Sequence, residues 1–422
     1  MSSIEVKAVE RLAGSGIAYA QAIKAGPFIF LTGHEAHDFE TGSRQAVDGI
    51  SGFPLYGVPP LRREGDFILD RMQGLLKAFG SDLSHGVRLD QYYPTTAPVE
   101  PYHQSRRAKF GSYIPPSTSV VMERCLGSAS SICASLIAVV PSEEYKIERV
   151  YPKDVAAPSW SGFVPAITCN DFIFIAGQMP TDEADGLHPS VRIPDHARWG
   201  GSDIRRQTEF LILHKLKPAM EAAGSTLSNI FKAQVYLQTA EMFPDFADVW
   251  NQHFAEIPCA VTVVPTKSYG TVGGVIEINA IGLKADAART RTVVDVDLPS
   301  MASYGPCVQV GEFVLPSGLM AVDEGVFAGG AAARQFDSIS LAGYAQAKAV
   351  YGYLDAIRKA VGAAPENVVR AQYFVDDIKE FAGIAAAWKD SYGQQPHPFV
   401  CVQTPPLPAE DAALIADFWL YL

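Results

Sequence analysis

The chain has 422 residues, 48% of them apolar, with a formal net charge of −12 and an isoelectric point near 5.2. That length exceeds one ordinary core and predicts two or three domains, and the apolar fraction excludes a disordered chain. The acidic balance argues against extended nucleic-acid binding, no apolar run nears the roughly 20 residues that span a bilayer, and the opening MSSIEVKAVERLAG lacks the apolar stretch of a signal peptide.

In chain order, the first strong element is the apolar run FIFLTG (28–33), followed by His34, Glu35, His37 and Asp38. Segment 39–65 reads as a long loop. Ile68, Leu69, Met72, Leu75, Leu76 and Phe79 then fall at helical spacing, and Gly80 stands where a C-cap glycine belongs. A strand (VRLDQYY), a second helix, a strand led by Pro116 (PSTSVVM) and a hydrophobic strand (SSICASLIAVV) follow. The same phrases return from Phe172 as FIFIAGQMPTD, a loop over 184–202, Gly224, KAQVYL, the helix FPDFADVWNQHF, PCAVTVV and GGVIEINAIGL. They return again from Phe313 as FVLPSGLMAVD, a helix carrying Val350, Leu354, Ile357 and Val361, Gly362, RAQYFV, IKEFAGIAAAWKDSY, PFVCVQT and ALIADFWLYL. Gly33, Gly177 and Gly318 are 144 and 141 residues apart, so three domain-scale copies fill the chain: 1–145, 146–290 and 291–422, with linkers near 142–158 and 284–300.

Each copy predicts a mixed sheet with two helices on one face, an α+β unit. The strands are apolar on their other face too, and a sheet apolar on both faces needs a second covering. Three units in one chain can provide it for each other. The six cysteines are scattered without a CxxC pair, which suggests buried thiols in a reducing, cytoplasmic setting.

The stretches NDFIFIAGQMPTD (170–182), EAAGSTLSNIFKAQVYL (221–237) and IPCAVTVVP…GGVIEINAIG (257–282) resemble the Rid (reactive intermediate deaminase, YjgF/L-PSP) family, with weaker counterparts in the other two copies. Members of that family are usually single chorismate-mutase-like units that form homotrimers, with sheets inside, helices outside and small-molecule sites at the subunit interfaces. The resemblance implies an intramolecular pseudo-trimer with three non-identical clefts. It also implies a substrate-binding arginine two residues after the proline of the penultimate strand, where this chain has Thr118, Ala260 and Val400. The family's water-orienting glutamate in the last strand matches Ser135, Asn279 and, to within one or two residues, Trp419, while Glu277 lies two residues from Asn279. The hydroxyl residue before the strand-end glycine is Thr32 or Ser317 in two copies and Ala176 in the third.

Residues that differ between copies are therefore the informative ones. His34, Glu35 and His37 are the candidate catalytic cluster, because a histidine beside a carboxylate suits general acid–base work near neutral pH. His34 is expected at a cleft mouth, where Gln178 and Leu319 stand in the other copies. Two histidines and a carboxylate also suit a metal, but no third ligand is evident, so no metal or cofactor is expected. Thr32, Thr118, Gln178, Glu277, Asn279 and Ser317 are candidate substrate contacts. Arg124, in step with Thr118 by the two-residue strand period, is a candidate anion-binding group. Arg198 and Trp199, in the 184–202 loop, are candidate lid contacts.

The expected function is that of an enzyme acting on a small polar metabolite by acid/base-assisted water addition or proton transfer, an imine or enamine deaminase-like hydrolase. A lyase or tautomerase, or a non-catalytic ligand-binding pseudo-trimer, are the alternatives. The expected partner is a small-molecule substrate, with no nucleic acid and no membrane, in a monomer or a homodimer of pseudo-trimers.

Overall fold

The structure, a computed structural model, describes residues 4–13, 16–49, 52–53, 56–153, 155, 161–182, 186–193, 196, 203–299, 301–323, 326–327 and 342–422. The first sheet contains β1 (Ile4–Arg11), β2 (Ala18–Ala25), β3 (Phe28–His34), β4 (Gly86–Tyr93), β5 (Ser117–Val121) and β7 (Cys133–Val139), in the order β1-β2-β3-β7-β4-β5. The second contains β8 (Ile147–Val150), β9 (Ala166–Cys169), β10 (Phe172–Gln178), β11 (Ile230–Leu237), β12 (Ala260–Pro265) and β13 (Ile276–Leu283), in the same order read from its other edge. The third contains β14 (Arg291–Val293), β15 (Val308–Val310), β16 (Phe313–Leu315), β19 (Val368–Val375), β20 (Phe399–Gln403) and β21 (Leu414–Tyr421), and gains β6 (Arg124–Cys125) from the first unit. β17 (Val322–Asp323) and β18 (Val326–Phe327) form a separate hairpin. In every unit the strand before the second helix runs parallel to the proline-led strand and antiparallel to the last one.

Local chemistry accounts for the elements. Helix Pro60–Ala78 starts on a proline at its first position, which needs no N–H there, so it begins inside the segment expected to be loop. Gly80, Gly224 and Gly362 end the long helices with φ of +78°, +75° and +69°, a region glycine enters without steric cost. The matching helix of unit two runs as Asp203–Leu211, a π-turn at Ile212–Leu216 and Lys217–Ala222. Pro218 lacks the N–H that would close a regular turn, and the π-turn absorbs the defect. The expected linkers contain structure, since β8 and β14 each open the following sheet.

The sheets meet face to face around a pseudo-threefold axis. Phe28, Phe172 and Phe313, the first residue of each repeated phrase, form a triangle with ring centroids 5.7, 5.6 and 4.9 Å apart, all edge to face. Such pairs add about 0.5–1.5 kcal/mol each beyond their burial. A polar layer crosses the axis next. Asp90, Gln234 and Gln372 occupy one position of the repeat. Asp90 accepts from Arg88 (3.1 Å) and Arg370, Arg88 donates to Gln234 (2.5 Å), and Gln234 donates to Gln372 (3.1 Å). Gln372 donates to Tyr92, which bonds Tyr236 at 3.0 Å. Beyond it a second apolar cluster gathers Tyr92, Tyr236, Phe374, Val120, Val264 and Val402 from all three units. The face that would be bare in one unit alone is thus the centre of the molecule. No helix among the described residues is long and apolar enough to cross a membrane.

Candidate functional site

The three strand-end glycines locate three seams. A β-carbon at Gly33 would lie 3.2 Å from Val400 Cα of unit three, one at Gly318 would lie 3.1 Å from Thr262 Cγ2 of unit two, and one at Gly177 would lie 2.9 Å from Thr118 Oγ1 of unit one and collide with Glu277 Oε1. None of the three has positive φ. Glycine is needed here because a neighbouring unit's proline-led strand comes so close.

At the seam of units one and two, the Asn279 amide donates to Thr118 Oγ1 at 2.9 Å, with Glu277 against Gly177; Asn279, Thr118 and Glu277 are buried. The position of the family's arginine is filled by this contact. At the seam of units two and three, buried Lys232 donates to Asp417 (2.7 Å), Thr262 Oγ1 (3.1 Å) and the Pro316 carbonyl (3.0 Å). Burial lowers the Lys232 pKa and the Asp417 carboxylate opposes that shift. Ser317 Oγ accepts from Val261 N (2.8 Å) and donates to the Pro306 carbonyl (2.9 Å). A groove of about 360 Å³ lies outside this seam, lined by Trp250, Asn251, Phe254, Cys259, Tyr304 and Pro306 among others.

Strand register corrects one assignment. Asp90 pairs with Ser135, Gln234 with Asn279, and Gln372 with Asp417. The match in the last strand of unit three is therefore Asp417, not Trp419, and that copy keeps an acid where the resemblance implies one. Trp419 instead faces the centre, under the guanidinium groups of Arg88 and Arg370.

The seam of units three and one carries the opening motif. The ladder between β3 and β7 shifts register between Leu31 and His34, a bulge that turns the following residues. His34 is consequently not at a cleft mouth. It is 2% exposed, opposite Ala134 on the helix side of the sheet, and lies near the Gln21 carbonyl. Burial, with help from Arg71, holds its pKa down at about 3, so it is neutral and a poor base. Thr32 Oγ1 donates to the same carbonyl at 3.2 Å.

Glu35 and His37 do converge, through a residue the sequence reading passed over. The Glu35 carboxylate accepts from Leu126 N (3.0 Å) and Gly127 N (2.8 Å) and lies near the Ser130 hydroxyl. Ser130 Oγ is 2.7 Å from His37 Nδ1. Burial raises the Glu35 pKa to about 7, against the pull of those hydrogen bonds. Burial lowers that of His37, helped by Arg44. A β-carbon on Gly127 would lie 2.6 Å from both His37 Nδ1 and Ser130 Oγ, so glycine gives the pair its room. Unit three borders the site: Cys125 pairs with Val402, Glu123 N donates to the Gln403 carbonyl, and Phe39 meets Phe399. The Cys125, Cys133 and Cys401 thiols lie within reach of the Glu35 charge, and burial pushes all three well above the ordinary thiol range.

The other candidates scatter. Arg124 does not share a face with Thr118, because β5 ends at Val121 and Arg124 pairs with Gln403 in the third sheet, exposed. Gln178 is buried and donates to the Ala176 carbonyl at 3.3 Å. Arg198 and Trp199 lie outside the described residues. All six cysteines are free and buried, and no group of three or more His, Cys, Asp or Glu among the described residues is poised for a metal. Lys232, Asp417 and Ser130 were missed. The only signal for the first two was charge inside strands that otherwise read as buried.

The fold and seams define a class: three linked α+β units that bring polar groups together where one unit's strand-end glycine meets the next unit's proline-led strand. The model of the family described as Endoribonuclease L-PSP matches residues 155–283 and 295–414, more than half of the chain. The chain belongs to that family. A RutC family protein of Pyrococcus horikoshii is 33% identical over 120 residues, which is 28% of this chain and 84% of the relative. One from Pyrococcus abyssi is 31% identical over the same shares. The crystal structure of yeast Mmf1 superposes with 24% identity and a TM-score of 0.27, covering 33% of this chain and 99% of that one.

Proposed function

We propose that the chain is an enzyme acting on a small polar metabolite at the seam of units three and one, by acid/base-assisted water addition to a C=N, C=C or amide-like group or by proton transfer. The observation that carries this reading is the line Glu35–Ser130–His37. With Glu35 ionised, Ser130 donates to the carboxylate, His37 Nδ1–H donates to Ser130, and His37 Nε2 is left as a base. With Glu35 protonated, the hydrogen bonds reverse: the acid donates to Ser130, Ser130 donates to Nδ1, and Nε2 carries the proton. One proton on the relay thus switches Nε2 between acceptor and donor, and a Glu35 pKa of about 7 puts the switch near neutral pH. His37 stays about 8% exposed, so the ring is not sealed.

Family membership supports the small-metabolite class, and a deaminase-like hydrolysis is the version nearest to the resemblance. The test is turnover of a panel of small imines, enamines and cyclic amides by the parent, His37→Ala and Ser130→Ala. Loss of roughly 10²–10⁴-fold in kcat in both variants is expected. Unchanged turnover in both would remove the relay from the reaction. A second reading, a ligand-binding protein without chemistry, is favoured by the way Asn279–Thr118 and Lys232–Asp417 fill two of the seams. Saturable binding of a panel member without turnover would select it.

A further inference from the structure

The seam of units one and two contains a buried cation that forms no direct ion pair with a carboxylate among the described residues; Glu100, on the same helix and largely exposed, acts on it only from a distance. Arg106 is 0% exposed. Among the described residues it donates only to neutral acceptors: Gln91 Oε1 at 3.0 Å, Ser117 Oγ at 3.2 Å and the Ser161 carbonyl of unit two at 2.8 Å. Its Nε has no hydrogen-bond partner among the described residues. Four of the other buried cations, Arg88, Lys232, Arg358 and Arg370, each meet a carboxylate. A guanidinium taken from water with only a distant, solvent-exposed carboxylate opposite is costly, so such a group calls for an anion in contact.

The repeat shows that the scaffold does not require this charge. Arg106 is the eighth residue of helix Val99–Phe110, and the eighth residues of the matching helices Phe243–Phe254 and Phe381–Tyr392 are Trp250 and Trp388. An apolar ring fills the position in two units and an arginine in the third. Three further buried polar atoms near Arg106 also lack hydrogen-bond partners among the described residues: Tyr93 Oη, Tyr102 Oη and His103 Nε2. Tyr93 Oη lies near the Ser119 hydroxyl without completing a hydrogen bond. The two phenols are donors, and the histidine can be one as its Nε2–H tautomer.

We propose that Arg106, with Tyr93, Tyr102 and His103, forms a binding site for a compact monoanion, a halide or the carboxylate end of a small organic acid. The site is independent of the relay at the seam of units three and one. Gln91 connects it to the cleft side, since its amide also donates to the Thr118 carbonyl at 3.1 Å. An anion here would steady the strand that holds Thr118.

The experiment compares thermal unfolding of the full chain in sodium gluconate, chloride, bromide and formate at equal ionic strength, for the parent, R106W and R106M. Gluconate is too large for a buried site and sets the baseline. The parent midpoint is expected to rise by roughly 3 °C in at least one of the three small-anion salts at saturation. A rise in the halides assigns a halide site, and a rise in formate alone assigns a carboxylate site. R106W restores the residue of the other two units and should show no rise; R106M gives the same comparison if the indole does not fit. A bromide-grown crystal should show anomalous density within hydrogen-bond distance of Arg106 Nε if the halides raise the midpoint. Identical parent midpoints in all four salts, or a rise that persists in both variants, would overturn the proposal.

Discussion

Replacing Glu35 with glutamine tests the electrostatics of the relay without a substrate. The folded carboxyl holds its proton up to about pH 7, whereas the unperturbed value is 4.5. Because the folded pKa is the higher one, the folded protein binds more protons between these values. The stability this contributes is fully present below pH 4.5 and is lost as pH rises through 7. At about 1.36 kcal/mol per pH unit, Glu35 alone should cost the parent about 2.5 kcal/mol between pH 5 and pH 8. Glutamine cannot ionise and removes that slope. It should itself be destabilising at pH 5, by about 1–3 kcal/mol, because its amide cannot accept from both Leu126 N and Gly127 N. The stability gap between parent and variant should therefore narrow by about 2.5 kcal/mol from pH 5 to pH 8. Urea unfolding of both proteins in half-unit pH steps measures the gap, and titrations elsewhere cancel in the difference. A gap constant across the range would show that Glu35 does not titrate there, and the proton switch would fail with it.

Four further outcomes are expected. His34→Gln, which installs the residue of unit two, should leave turnover unchanged and stability within about 1 kcal/mol, by activity assay and thermal unfolding; a large loss of turnover would return the chemistry to His34. Asp417→Asn should destabilise by about 3–5 kcal/mol by leaving the Lys232 charge buried without its counter-ion, while the double change Lys232→Met with Asp417→Leu recovers most of the loss in chemical denaturation. Gly177→Ala should cost about 1–3 kcal/mol, since its β-carbon meets Glu277 and Thr118 from two units. Residues 146–290 expressed alone should self-associate in sedimentation analysis, because Phe172, Phe174 and Phe231 would lose their cover; a stable monomer would contradict the axial packing.

The repeat was legible in the sequence because each unit is built by local rules. Alternating apolar strands, helical spacing and a left-handed glycine after each long helix are signals within a few residues of one another. Gly80, Gly224 and Gly362 marked helix ends, and the recurring phenylalanine marked the residue that meets its two equivalents on the axis. A strand too apolar to have a wet face already implied a partner for it. Glu35 and His37 were also legible as candidates, since a titratable cluster occurs in one copy only.

What the sequence left open was which groups meet. Asp417 and Trp419 are two residues apart and share a strand face, so alternation could not tell them apart and only the ladder to β19 does. The bulge after Leu31 moved His34 under the helices, and no pattern over 28–38 announces a bulge. Ser130 is 93 positions from His37, and Lys232 is 185 from Asp417. Ser130 and His37 meet inside unit one, where the loop before β7 returns beside the end of β3, whereas Lys232 meets Asp417 because three sheets close around one axis and bring together strand ends from different units. Burial then sets their chemistry: the same dry seam raises the Glu35 carboxyl and lowers the His37 imidazole, because removing water penalises whichever form is charged.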